Sequence, residues 1–308
     1  MIQTVTGPVE PGKLGIVSLH EHIICGSPLF YRGFGERWAD RRRIVADAAA
    51  QLAAAAAAYG LKTVVDGTPF ALGRDVALLR EVAEKAGVNL IASTGYYVTA
   101  DYGLHEIPAA IQAAYFIDEC NLGIEGTGIR PGFLKCAADA GTSLRGAEIV
   151  AMVQKETGLP LFAHSDARAR TGLKLLEVFE KQRLDPEKIV IGHVGDSHDP
   201  AYVEELLHHG CFVCIDRLYQ PDDIAAKAQM IVKLAERGFL EQITVAHDHI
   251  CWKMERNRKQ QAERTDRNLN HIGELLIPEL RKLGFGDKEL EQLLAANPRR
   301  ILSERNLS

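Results

Sequence analysis

Eight short apolar runs alternate with longer helical stretches along the whole 308-residue chain. The runs are rich in β-branched residues and apolar on both faces, which is typical of a parallel sheet covered on both sides. Several helical stretches end at a glycine, as helices commonly do. The predicted strands are LGIVSLHEH (14–22), KTVVDGT (62–68), NLIASTGYY (89–97), PGFLKCA (131–137), LPLFAHS (159–165), KIVIGHVGD (188–196), CFVCID (211–216) and QITVAHDH (242–249).

This alternation predicts the α/β class and a (β/α)8 TIM barrel, in which a ring of parallel strands is surrounded by helices. A doubly wound sheet would need a phosphate-binding glycine loop after an early strand, and the sequence has none there. No linker rich in Ser, Gly or Pro interrupts the pattern, so we expect residues 1–308 to form one domain. Helical segments at 270–282 and 287–303 are expected to cap the barrel.

The composition excludes several kinds of partner. A net charge of −5 provides no broad positive field for nucleic acid or a membrane surface. No apolar stretch approaches the roughly 20 residues that span a bilayer. The N-terminal MIQTVTGPVEPGK lacks the pattern of a secretory signal, and the six cysteines are scattered, so we interpret them as reduced thiols. We therefore expect a cytoplasmic protein.

Residues able to bind a metal stand where five of the predicted strands end, and these ends line the catalytic mouth of such a barrel. A single histidine there is more often a hydrogen-bonded core residue, and a lysine usually extends to solvent. Five matching strand ends favour a metal site, and imidazole with carboxylate suits Zn, Mn, Fe or Co. The candidates are His20 and His22, which share one face, then Lys135, His164, His193 and the triplet His247, Asp248 and His249.

Lys135 is the unusual member of this set. A protonated ammonium beside a divalent cation would be repelled, whereas reaction with CO2 gives a carbamate whose two oxygens can bridge two metals. Two divalent ions bring +4, and Asp248, the carbamate and a bridging hydroxide bring −3. The small positive remainder would hold a polarised oxygen of a substrate.

The order and spacing of nine motifs resemble the phosphotriesterase family of the amidohydrolase superfamily, in particular its lactonase branch. The resemblance covers nearly the whole chain. The motifs are LGIVSLHEHI, VVDGTPFALGRD, IASTGYY, GFLKCAADAGT, GLPLFAHSDARARTG, IVIGHVGD, FVCIDR, ITVAHDH and NPRRIL.

The resemblance implies two divalent metal ions, expected to be zinc, with manganese, cobalt or iron as alternatives. N6-carboxylated Lys135 and a hydroxide would bridge the two ions. It also implies a homodimer that acts on a small molecule. The implied ligands are His20, His22 and Asp248 for the more buried ion, and His164 and His193 for the more exposed ion.

The resemblance further implies three catalytic residues. Asp248 would take up the proton of the attacking hydroxide, and Tyr97 would help to hold the developing oxyanion. Arg217 would either orient the substrate or pair with a carboxylate at the barrel rim. Phosphotriester-specialised members tend to have histidine at this position, so Arg217 favours the lactonase branch. His247 and His249 flank Asp248 and are expected to point away from the metals.

We therefore expect a metal-dependent hydrolase that cleaves a lactone or carboxylic ester through a metal-bridging hydroxide, with promiscuous organophosphate hydrolysis. The charged segment CWKMERNRKQQAERTDRN after the eighth strand favours a small polar or anionic lactone, unless that segment is only a solvated surface. Two alternatives remain open. One is a phosphotriester hydrolase, an aryldialkylphosphatase, and the other is a non-catalytic, metal-containing binding protein.

Overall fold

The computed structural model describes residues 1–98, 104–256, 258–263 and 268–303. Every predicted strand is present, and a short hairpin that the sequence analysis did not predict precedes them. The described strands are β1 Ile2–Thr4, β2 Gly7–Val9, β3 Ile16–Cys25, β4 Leu61–Asp66, β5 Asn89–Gly95, β6 Phe133–Ala138, β7 Leu161–Ser165, β8 Ile189–Ile191, β9 Phe212–Ile215, β10 Ile243–Val245 and β11 Ile250–Lys253.

Nine of these strands form one parallel sheet in the order β10-β9-β8-β7-β6-β5-β4-β3-β11. The two ends of the sheet are β10, which lies within the eighth predicted strand (242–249), and β11, which begins just after that predicted strand ends. Residues 246–249, predicted as strand, separate the two, so the eighth strand of the barrel is interrupted. Between them, Asp248 N donates to His20 O over 3.1 Å and His22 N donates to His249 O over 2.7 Å. These bonds attach the interrupted strand to β3, so the sheet curls into the predicted barrel.

Helices follow the strands and cover the outside of the barrel. Their ends obey local rules: Asp75 accepts from Leu78 N at the start of the third helix, and Gly87 ends that helix in the left-handed conformation. The alanine-rich helix buries its small face against the sheet. The described α-helices are α1 Leu29–Phe34, α2 Arg41–Tyr59, α3 Val76–Ala86, α4 Ala109–Leu122, α5 Arg145–Thr157, α6 Thr171–Lys181, α7 Pro200–His208, α8 Ile224–Glu236, α9 Arg258–Ala262, α10 Ile277–Lys282, α11 Asp287–Glu291 and α12 Asn297–Leu302, and π-helical turns at Ile272–Leu276 and Gln292–Ala296 precede α10 and α12.

Apolar side chains fill the barrel interior, including Val65, Phe133 and Phe212. Ile301 and Leu302 from α12 join this cluster, as the predicted capping by the C-terminal helices requires. Because this end of the barrel is plugged by apolar residues, a polar site can open only at the opposite end, where the strands finish. Among the described residues, every helix is too short or too polar to cross a membrane.

Candidate metal centre

The six predicted metal ligands meet at the carboxyl ends of the strands, around a cavity of about 240 Å³. Five of them are buried, and the Asp248 side chain is 17% exposed. They come from β3, β6, β7, the second residue after β8, and the break between β10 and β11. Residues distant in sequence are therefore neighbours here. The cavity is lined by His20, His22, Cys25, Leu72, Tyr97, Lys135, His164, His193, Arg217, Tyr219, Asp248 and Ile250.

Ring nitrogens and a carboxylate oxygen converge on one side of the cavity. Asp248 Oδ1 lies 3.4 Å from His22 Nε2 and 3.7 Å from His20 Nε2. The three ligand atoms lie within 4.8 Å of one another, a spacing that suits a shared cation. Lys135 Nζ lies 2.7 Å from His20 Nε2, at the inner edge of the same group.

The other side of the cavity presents two histidines. His193 Nε2 and His164 Nδ1 are 2.7 Å apart, so both nitrogens face the same space. The first group combines two imidazoles with a carboxylate and the second consists of two imidazoles, and first-row transition metals accept both kinds of ligand. The chemistry of these donors therefore fits a bound metal cation.

Three residues of the cavity adopt left-handed backbone conformations that are unfavourable for side chains other than glycine. They are His193 with φ 63°, Arg217 with φ 58° and Asp248 with φ 53°. Each stands just after a strand, where the turn redirects its side chain into the mouth of the barrel. Such strain persists only where surrounding contacts hold the backbone, and it concentrates at functional sites.

The histidines are oriented by partners that the sequence analysis did not single out. Asp216 is fully buried and reaches His20 Nδ1 with Oδ2 over 3.0 Å and His193 Nδ1 with Oδ1 over 2.8 Å. His22 Nδ1 lies 2.8 Å from Thr68 Oγ1, and His164 Nε2 lies 2.9 Å from Asp139 Oδ1. Each imidazole thus uses one nitrogen for the protein and turns the other toward the cavity, which is the arrangement of metal-binding histidines.

Burial keeps several of these groups neutral. Burial lowers the pKa of His20, His164 and His193, and the positive charge of Lys135 lowers each of these pKa values further. Neutral imidazole is the form that binds a metal. Burial also lowers the pKa of Lys135 to about 8, which makes its neutral amine accessible near physiological pH.

His22 and Asp248 behave as a pair of opposite charges. Burial opposes ionisation of both groups, but Cys25 and Asp248 raise the pKa of His22 to about 10. The hydrogen bond and charge of protonated His22 in turn help to hold the pKa of Asp248 well below its usual value. A cation bound here would displace the proton of His22 and take over its role as partner of the carboxylate.

The predicted catalytic residues Tyr97 and Arg217 both line the cavity. The Tyr97 ring packs edge-on against His164, with 5.1 Å between centroids, and burial raises its pKa to about 12, so its hydroxyl remains a donor. Arg217 Nη1 lies 2.6 Å from Asp196 Oδ2, and its Nε lies 3.4 Å from Asp248 Oδ2. Arg217 therefore pairs with the carboxylate of Asp196 and also contacts that of Asp248.

His247 and His249 point away from the cavity. His247 Nδ1 contacts Glu21 over 2.9 Å, and its Nε2 accepts from Ile272 N over 3.2 Å. His249 Nε2 lies 2.7 Å from Gln51 Oε1. The two histidines point away as predicted, but strand alternation is not the cause: residues 246–249 are outside the strands, and Asp248 has a left-handed backbone with φ 53°.

A polar cleft of about 930 Å³ adjoins the cavity and shares His164, Arg217 and Tyr219 with it. Of the basic segment after the eighth strand, Lys253, Arg256 and Lys259 do not line either space, whereas Arg264 and Arg267 fall outside the described residues. The other residues of the cleft are Asp139, Ser165, Asp166, Ala167, Arg168, Asp196, His198, Gln220, Pro221, Asp222 and Asp223.

Known proteins resemble this chain over nearly its whole length. Residues 1–302 match the model of the phosphotriesterase family. A phosphotriesterase homology protein of Mycobacterium tuberculosis is 32% identical, with 97% of both chains covered. The aryldialkylphosphatase of Saccharolobus solfataricus is 28% identical, with 96% of this chain and 97% of the relative covered.

Two further comparisons bear on activity and fold. The phospho-furanose lactonase of Mycoplasmopsis agalactiae is 26% identical, with 98% of this chain and 91% of the relative covered. The solved structure of the phosphotriesterase from Mycobacterium tuberculosis has a TM-score of 0.91 at 30% identity, with 98% of each chain covered.

Proposed function

The chain belongs to the phosphotriesterase family of metal-dependent hydrolases, and from that premise we propose that its substrate is a small polar lactone or carboxylic ester. One observation carries the proposal: six donor side chains face one cavity, while the remaining histidine nitrogens are held by the protein. In this proposal residues 1–308 form a single catalytic barrel domain.

The proposed ligand sets follow the two sides of the cavity. His20, His22 and Asp248 would hold one divalent ion, and His164 and His193 would hold the second. Zinc suits these ligands, and manganese, cobalt or iron would also be accepted. When bound, the two ions would acidify a water molecule and polarise the carbonyl of the substrate.

Lys135 would join the two sides as a carbamate. Its amine is buried, has a pKa lowered to about 8 and lies 2.7 Å from a ligand nitrogen of His20. A permanently charged ammonium at this position would repel both cations. A neutral amine can react with CO2 and release one proton, and the product is a carbamate anion with two carboxylate-like oxygens.

Three side chains would then perform the remaining steps. Asp248 Oδ2 would accept the proton from the attacking water and return it to the leaving alkoxide. The Tyr97 hydroxyl, which burial keeps protonated, would donate to the developing oxyanion. Arg217 lies 3.4 Å from Asp248 Oδ2, so it would orient that carboxylate as well as the substrate.

The shape and charge of the pocket support the substrate class. A cavity of about 240 Å³ is small for a long acyl chain. The adjoining cleft carries Asp139, Asp166 and Asp222, which would repel an anion and accept hydrogen bonds from hydroxyl groups. We therefore favour a polar, uncharged substrate over an anionic one. The relatives include both a lactonase and an aryldialkylphosphatase, so Arg217 is the feature that favours lactones over phosphotriesters.

The decisive experiment is an activity screen on protein whose metal content has been measured. We expect kcat/KM for hydroxylated lactones to exceed that for an aryl dialkyl phosphotriester by at least 100-fold. Chelation should abolish activity, and zinc, manganese or cobalt should restore it. The reverse ranking would favour the phosphotriester alternative suggested by the aryldialkylphosphatase relative. Metal-replete protein that hydrolyses none of these compounds would favour the non-catalytic alternative.

A homodimer is the proposed assembly. Ile111, Tyr115 and Leu122 form one stripe on α4, and Phe70 lies beside it at the rim of an apolar hollow. Tyr115 is 65% and Leu122 73% exposed, an arrangement that favours burial against a second copy. Light scattering should show a dimer that Tyr115→Glu dissociates.

The six free cysteines support a reducing, cytoplasmic location.

A further inference from the structure

Glu21, the residue between the two histidines of the first predicted strand, is fully buried and faces away from the metal cavity. We propose that Glu21 is a positioning residue whose carboxylate clamps residues 247–249 against β3 and thereby aims Asp248 into the cavity. The inference rests on the proposed function, in which Asp248 binds a metal and moves a proton.

The two oxygens of Glu21 hold the main chain on both sides of Asp248. Oε1 accepts from His247 N over 2.8 Å, and Oε2 accepts from His249 N over 2.7 Å. Oε1 also contacts His247 Nδ1 over 2.9 Å and accepts from Ser18 Oγ. One carboxylate thus bonds to both of the amides that flank Asp248.

The clamp acts where the eighth strand is broken and strained. Asp248 has φ 53°, and its own amide donates to His20 O over 3.1 Å. The amides of three successive residues are therefore fixed, two by Glu21 and one by β3. With the main chain held in this way, the Asp248 side chain turns inward while its two neighbours turn outward.

The clamp extends to the C-terminal part of the fold through His247. Its Nε2 accepts from Ile272 N over 3.2 Å, at the start of the π-helical turn that precedes α10. The carboxylate, the imidazole and the helix amide form a continuous chain of contacts. Glu21 therefore ties the metal-site turn to a helix outside the barrel.

Only a carboxylate of this length satisfies the arrangement. Glutamine has nearly the same shape, but it offers one accepting oxygen and a donating NH2 group. In Glu21→Gln, the NH2 group would face a backbone N–H, so at least one of the two flanking amides would lose its acceptor. The turn that carries Asp248 would then loosen without any change in a proposed ligand.

The first test is amide hydrogen exchange in the metal-free protein, which requires no activity. We expect the peptide covering residues 246–250 to exchange at least tenfold faster in Glu21→Gln than in the wild type. The matched control is Gln51→Ala, which removes a side-chain contact to His249 from the outer side and leaves the clamp intact. Unchanged exchange in Glu21→Gln would overturn the proposal.

The second test is a double-mutant cycle at saturating metal. Glu21→Gln should lower kcat at least 30-fold on a lactone with less than a threefold change in KM, whereas Gln51→Ala should lower neither. If Glu21 acts through Asp248, adding Glu21→Gln to Asp248→Asn should change the residual kcat by less than threefold. A full, additive loss in that background would assign Glu21 a merely structural role and refute the proposal.

A third readout separates this proposal from the proposed function. The visible spectrum of cobalt-substituted protein reports the ligand geometry even if no substrate is turned over, and Glu21→Gln should alter it whereas Gln51→Ala should not. Should Glu21→Gln fail to fold, Glu21→Asp keeps both oxygens but is one methylene too short to reach both amides. We expect its exchange to accelerate at one of them, and wild-type protection at both would overturn the clamp.

Discussion

Replacing Asp216 by asparagine tests the arrangement that orients the proposed metal ligands. Oδ1 of Asp216 receives two donors, His193 Nδ1 at 2.8 Å and His193 N at 3.1 Å, whereas Oδ2 faces only His20 Nδ1 at 3.0 Å. The single oxygen of asparagine should therefore stay on the His193 side, and its NH2 group should face His20. His20 would then have to carry its proton on Nε2, the nitrogen that faces the cavity.

Asp216→Asn should weaken metal binding at one of the two proposed sites. Loss of such a partner weakens metal binding by roughly 10- to 100-fold, which corresponds to about 1.4 to 2.7 kcal/mol. The site of His20, His22 and Asp248 should bear this loss, because its imidazole has the wrong tautomer. The site of His164 and His193 should change by less than about threefold, since His193 keeps its acceptor.

The assay is titration of metal-free protein with zinc against a chromophoric chelator, which resolves a tighter and a weaker step. Asp139→Asn is the matched variant, because Asp139 contacts only the histidine of the other site, His164 Nε2 at 2.9 Å. Asp216→Asn and Asp139→Asn should therefore weaken different binding steps of the zinc titration. Movement of the same step by both, or wild-type affinities in Asp216→Asn, would refute the reasoning. Thermal unfolding of the metal-free variants checks that both are folded.

Three more outcomes are expected. Lys135→Ala should lose at least 99% of activity, as measured by initial rates. Bicarbonate with a short carboxylic acid should restore part of that activity, whereas a fully active variant would exclude the carbamate. Because burial lowers the pKa of Lys135 to about 8, the neutral amine increases as pH rises from 7 to 9. When metal is added to metal-free protein at constant dissolved CO2, the rate at which activity appears should therefore rise about tenfold per pH unit below pH 8 and level off above it. An activation rate independent of pH would contradict carbamate formation on Lys135. Lys227 is buried and contacts Asp196 over 3.0 Å and Asp223 over 2.9 Å, so Lys227→Met should lower the free energy of unfolding by about 2–4 kcal/mol, less than for a fully enclosed pair. Denaturant titration measures this loss, and Lys233→Met on the same helix is the control.

The sequence predicted the barrel because its evidence is local and repeated. Apolar runs and helical segments alternate eight times, and each run carries its own signal of composition and length. The same argument placed six potential metal ligands at one end of the barrel, since the carboxyl ends of parallel strands share an edge. The hairpin of β1 and β2 escaped prediction because short, partly exposed strands carry little pattern.

The partners of the ligands could not be found in this way. Thr68 and Asp216 are the last residues of their predicted strands and Asp139 lies two residues beyond its own, but nothing in the sequence distinguishes them as partners of metal ligands. Each is identified only by contact with a histidine from another strand. Glu21 was hidden for the same reason, because its two amide partners lie more than 220 residues away in the chain.

Sequence by itself determined which side chains reach the mouth of the barrel, because strand period and strand ends are properties of short segments. Tertiary structure alone decided what those side chains do there. The left-handed turns at His193, Arg217 and Asp248 arise only when neighbouring strands hold the backbone, and the pairing of Arg217 with both Asp196 and Asp248 depends on loops that meet in space. Burial and charge, which set protonation, belong to that assembled arrangement and to no single segment.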